Sequence, residues 1–201
     1  MWTWTVPVST SCWSRAPVRR PDPRVRARGG QGTVRPVANL RADRRRRGSV
    51  DPKAALRYAL EATRERVLRC LEDVSEEEAR RVVHGLSPLV WQVGHVTYAD
   101  GVLLRRAGRT NPVPESYGPL FGTGTGGEAG YPLLDEVRGT FEVVHGGLLA
   151  LLEAAALDQP VDAPHYRNVG EMLAFSAYHR GYHIGKMTTL RALLGKQRLF
   201  G

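Results

Sequence analysis

Apolar residues return at helical rather than strand spacing over four stretches of the chain, and capping or breaking residues bracket each one. The first, A-A-L-R-Y-A-L-E-A-T-R-E-R-V-L-R-C-L, follows Asp51-Pro52, an N-cap with proline at N1, and predicts a helix over about 52–73. Ser75 to Glu78 reads as a capping box over a short helical turn that ends before Gly85. Ser87-Pro88 repeats the cap-plus-proline signature and opens a second helix, P-L-V-W-Q-V-G-H-V-T-Y-A-D-G-V-L-L-R-R-A, which Gly108 stops. A third spans about 132–156, where Leu134, Val137, Phe141, Val144, Leu148 and Leu151 step by three and four. Asn168, with Glu171 three positions on, caps a fourth that reaches about Leu194 before Gly195. Four long amphipathic helices and no persuasive strand predict an all-α four-helix bundle.

Between the second and third helices, residues 109–131 are rich in Pro and Gly, and a connection of that length in a compact domain is often functional. Its glycine run lacks the G-K-[ST] of a phosphate loop. Tyr117, Leu120 and Phe121 predict that it folds back onto the domain and covers a site.

Composition changes the picture in one respect. The chain of 201 residues is 42% apolar, enough for one core, yet its net charge is +9. Residues 1–50 hold 12 Arg and 2 Asp, so the remaining residues carry a net charge of −1. The basic character therefore belongs to a tail, not to the domain. That tail is rich in Arg, Pro and Gly, shows no hydrophobic period, and contains R-R-R-R at Arg44 to Arg47. Such composition predicts disorder. Three origins fit it: an arm for nucleic acid or an anionic surface, an Arg-rich targeting peptide, or upstream sequence read from a misplaced start. The organisation expected is a disordered tail over 1–50 and a bundle domain over 51–198. Nucleic-acid binding is expected only through the tail.

Two cysteines, Cys12 and Cys70, make no disulfide framework and no CxxC pair, which fits a reducing cytoplasm. No apolar run approaches the roughly 18 residues that span a bilayer, so no membrane partner is expected. The first residues lack the charged and apolar regions of a secretory signal.

The candidate chemistry sits on the fourth helix. Met172, Ser176, His179, His183, Lys186 or Met187, and Leu190 form one stripe, so His179 and His183 lie a turn apart on the face predicted to point inward. Two readings of the pair stand side by side: shared ligands of one ion, or buried imidazoles that each have their own partner. The second helix offers W-Q-V-G-H, Trp91 to His95, where Gly94 leaves room for a neighbour. Bringing His95 to the pair would complete three imidazoles around a divalent metal with an open position, the ligand set of a catalytic site. Imidazole ligands alone do not name the ion.

The two segments S-P-L-V-W-Q-V-G-H and H-R-G-Y-H-I-G-K-M-T-T-L-R-A-L-L-G together resemble the DinB/YfiT-like superfamily of metal-binding four-helix bundles, over about residues 51–198. The resemblance implies that His95, His179 and His183 hold one divalent ion, zinc or nickel first, with iron or manganese as alternatives. It also implies thiol S-transfer of the bacillithiol or mycothiol type in detoxification or stress, with a small thiol and an electrophile as substrates, and pairing as homodimers. Lys186 departs from the Gln that often follows H-I-G in that superfamily; it would favour an anionic ligand or reach solvent along its stem.

Alternatives of other classes are a metal-dependent hydrolase and a metal-binding or interaction bundle without turnover. No H-E-x-x-H and no evident general-base carboxylate supports hydrolysis. Tyr98, Tyr178, Tyr182 and Arg191 are candidates for orienting substrate, against a packing role for the tyrosines. His145 is a candidate fourth or outer ligand, against a boundary position, while His84 and His165 are expected at exposed turns. Cys70 is expected to be a buried, inert thiol.

Overall fold

A computed structural model describes residues 50–126 and 130–200, and among these it forms six helices and no strand. They are α1 (Pro52–Arg69), α2 (Glu76–Arg80), α3 (Leu89–Arg106), α4 (Tyr117–Phe121), α5 (Leu134–Ala154) and α6 (Val169–Leu193). The four long ones are those the apolar spacing predicts. Apart from Val50, the tail with its Arg run and Cys12 lies outside the described residues.

Side-chain caps set three of the six helix starts. Asp51 accepts the Lys53 N–H with Pro52 at N1, and the Ser75–Glu78 box forms in both directions. At α3 the expected Ser87 cap is absent: Pro88 occupies the N-cap position, and Ser87 instead presents its carbonyl to the Gln92 side chain at 3.0 Å. At α6 the Asn168 side chain accepts the Glu171 N–H, but Glu171 turns back to the Arg167 N–H, so the reciprocal half of the box is displaced by one residue. α1 ends at Arg69, four residues short of expectation. Arg191 of α6 takes the Cys70 carbonyl there, a chain-end group that a longer helix would have satisfied itself, and pairs with the Asp73 carboxylate.

Contacts fix the directions of the helices. Leu60 and Cys70 of the first segment meet Arg180 and Arg191 in the same order, so α1 and α6 run parallel. Arg57 pairs with Glu153 and Arg64 with Glu142, so α5 runs against α1. Gln92 and Asp100 meet His183 and Ser176, so α3 runs against α6. The order around the bundle is α1, α5, α3, α6, and neighbouring α3 and α5 are consequently parallel.

A parallel pair cannot be joined by a short turn. The chain must return along a helix of 18 residues, about 27 Å at 1.5 Å per residue, and residues 107–133 make that return. The expectation that this segment folds back is met, with a short helix inside it. Tyr117, Phe121 and Tyr131 are buried, and the Phe121 ring stacks on Tyr131 with centroids 5.4 Å apart. Gly94 makes the fit: a Cβ there would stand 2.3 Å from Phe121 Cε1. α3, covered by α5, α6, α2 and the crossover, is buried on nearly every face, with Gln92, His95, Thr97 and Asp100 as its buried polar residues.

Candidate metal centre

The antiparallel packing of α3 on α6 brings the three predicted histidines together. Their ligand-capable nitrogens lie within 4.8 Å of one another, with ring centroids 4.6 to 5.2 Å apart. His95 and His183 are buried and His179 is half-buried.

Hydrogen bonds on the outer edges fix two of the rings. The His95 Nδ1–H donates to the Phe121 carbonyl at 2.7 Å. His183 Nδ1–H donates to Gln92 Oε1 at 2.8 Å, and the Gln92 amide is itself oriented by its bond to the Ser87 carbonyl. Each ring therefore turns an unprotonated Nε2 toward the cluster, the arrangement in which outer partners set the tautomer of a ligand imidazole. His183 Nε2 and His179 Nε2 approach to 3.1 Å, while His179 Nδ1 is buried without a partner. Trp91 stacks on His95 at 4.7 Å and anchors its indole N–H on Thr125 of the crossover, and Phe175 stacks on His179 at 5.5 Å.

Three neutral nitrogens converge with no carboxylate among them, and a divalent cation fits that donor set. Electrostatics keep the rings in the ligand form. Burial, and then its two histidine neighbours, push His183 down to about 3. Burial also lowers His95, against the raising effect of the Phe121 bond, and lowers His179, helped by the charge His95 would carry.

Toward the N-terminal end of α6 the same two helices hold a second polar cluster that the sequence reading missed. Asp100 and Arg180, both fully buried, pair at 2.8 Å, and Ser176 donates to the other Asp100 oxygen at 2.7 Å. Arg180 also reaches the Leu60 carbonyl and His145 Nδ1, and its guanidinium lies over the Phe141 ring. A polar residue inside the otherwise apolar run of α3 was the available signal for both Gln92 and Asp100.

The other candidates separate cleanly. His145 is buried rather than at a boundary, and it belongs to the Arg180 cluster, bonded on its far side to Glu61, not to the three histidines. Tyr178, Tyr182 and Lys186 are exposed, and the Lys186 ammonium lies over the Tyr182 ring at 4.6 Å. Arg191 clamps the end of α1 and takes no part in the centre. His84 and His165 are exposed, and Cys70 is buried with its thiol pushed up to about 11 by burial. Tyr98 lines a cleft of about 300 Å³ that opens beside His95 and His179, together with Phe175 and Thr123. No helix of the described residues is long and apolar enough to cross a membrane.

The family model described as the DinB superfamily matches residues 59–187, a span that takes in all three histidines and more than half of the chain. No curated protein matches it.

Proposed function

The chain belongs to the DinB superfamily, and on that premise we propose that His95, His179 and His183 hold one divalent ion, zinc or nickel, for S-transfer from a small thiol to an electrophile. The carrying observation is the convergence of three imidazoles within 4.8 Å, two of them with Nδ1 protons tied outward to Phe121 and Gln92. A dication in that position would stabilise a thiolate over its thiol near neutral pH and so supply the nucleophile.

The remaining work falls to this chain's own groups. Phe175, Trp91 and the crossover wall the histidines on their outer sides and limit water there. Tyr98 and Thr123 place a hydroxyl each along the cleft, where a polar acceptor substrate can be oriented. Among the described residues Asp100 is the one buried carboxylate, and it is committed to Arg180 and Ser176, so no free buried carboxylate stands ready as the general base of a hydrolase. The working unit in this reading is the bundle over 51–198, in the reducing cytoplasm.

Elemental analysis of tag-free protein tests the premise, with His95→Ala and His183→Ala variants confirmed as helical by circular dichroism. About one ion per chain, lost in both variants, is expected. Metal-dependent loss of free thiol in the presence of an alkylating electrophile then tests the reaction. Absence of bound metal after reconstitution with zinc, nickel, iron or manganese would remove the reading altogether.

A further inference from the structure

The cleft beside the histidines has two unlike ends. One face of α3 forms its floor, running from His95 through Tyr98 and Val102 to Arg106. Positions 95 and 106 are eleven residues apart, about 16 Å along the axis and within about 20° around it, so the imidazole and the guanidinium lie in one row. Phe175 and Tyr166 add aromatic surface, and no carboxylate is among the residues lining the cleft. Arg106 is exposed and makes no hydrogen bond or ion pair with any described residue; the side chains of Arg69, Arg105, Arg109 and Arg198 are likewise unpaired, and of these five Arg106 is the one that lines the cleft. Its place in the last turn suits the helix dipole, but neighbouring Arg105 shares that place and does not line the cleft.

An uncompensated guanidinium at one end of a partly apolar cleft favours an anion of planar, two-oxygen form. We propose that the cleft binds an elongated small molecule with a carboxylate at the Arg106 end, an apolar or aromatic middle against Tyr98 and Phe175, and its thiol at the histidine end. The thiol part rests on the reading of the histidines given above; the carboxylate part stands on Arg106 and the cleft.

The test separates the two. Metal-free protein is titrated by calorimetry with octanoate and with octan-1-ol, whose eight-carbon chain is shorter than the helix rise by about the reach of an arginine side chain. Octanoate is expected to bind about ten-fold tighter, Arg106→Gln to abolish the preference, and Arg105→Gln to keep it. Amide-proton shifts on titration should centre on Tyr98, Val102 and Phe175. Equal binding of acid and alcohol, or a preference that survives Arg106→Gln, would overturn the assignment. Zinc-loaded protein is then titrated with 8-mercaptooctanoate against octanoate. Tighter binding of the thiol supports the full orientation; no gain from sulfur, with the carboxylate preference intact, overturns the thiol end and leaves Arg106 assigned.

Discussion

Two polar clusters lie buried between α3 and α6, one built from His95, His179 and His183, the other from Asp100, Ser176 and Arg180. Both occupy an interior where an unpaired polar group costs about 1–3 kcal/mol, yet they meet that cost differently. The Asp100 carboxylate has a partner on each oxygen, and Arg180 reaches the carboxylate, a main-chain carbonyl and His145, its Nη2 alone buried without a bond. His95 and His183 bind the protein on their outer edges and turn Nε2 inward, where His183 meets His179 Nε2 at 3.1 Å, and His179 Nδ1 is left unmatched. A cluster whose two charges pair with each other holds the helices in register. One whose bonds stop short leaves capacity for something that is not protein.

The comparison breaks most visibly at Asp100. Asp100→Ala leaves the Arg180 charge buried and uncompensated, and about 3–5 kcal/mol of stability should be lost; urea unfolding at pH 7 reads it. Metal bound per folded chain should stay unchanged, and a variant as stable as the parent would show that the cluster is not holding the register. Gln92→Ala attacks the other cluster without touching its ligands. His183 loses the acceptor that sets its tautomer, and metal affinity should fall about 10- to 100-fold, measured by competition with a chromophoric chelator; an unaltered affinity would mean the tautomer is set elsewhere.

The smallest effect expected is acid sensitivity of the metal-free protein. An unfolded histidine titrates near 6.5, and burial holds His183 at about 3, so below 6.5 the unfolded chain binds more protons than the folded one. Stability is therefore lost as pH falls from about 6.5 toward 3, and His183 alone accounts for under about 1 kcal/mol between pH 7 and 6. Zinc at saturating concentration should keep or steepen that slope, because ligated imidazoles take up no proton while the unfolded histidines still do, and thermal melts at the two pH values with and without the ion make the check. A slope flattened by zinc would separate the titration from the ligands.

Local chemistry made much of this legible in the sequence. Asp51-Pro52, the Ser75 box and Asn168 mark helix starts because they act on N–H groups two or three residues away, and the i, i+4 pair of histidines marks a helix face. Pairings across eighty residues leave no such local mark. Arg180 stands between His179 and Gly181 in a segment dotted with tyrosines and reads as a surface cation, yet Asp100 draws it fully inside while Tyr178 and Tyr182 face solvent. The early end of α1 depends likewise on Arg191, 121 positions from the carbonyl it takes. Gln92 escaped because a single amide beside tryptophan looks like a filler until the opposing imidazole is seen.

The crossover serves the molecule twice. Its length follows from the parallel course of α3 and α5, and its Phe121 carbonyl holds the proton of His95. Connectivity and acid–base state are thus a single engineering variable: a shortened or cut loop cannot spare the imidazole, and an insertion placed beyond Gly122 can leave it untouched. Anyone grafting this centre onto another bundle would have to transplant the return path along with the ligands.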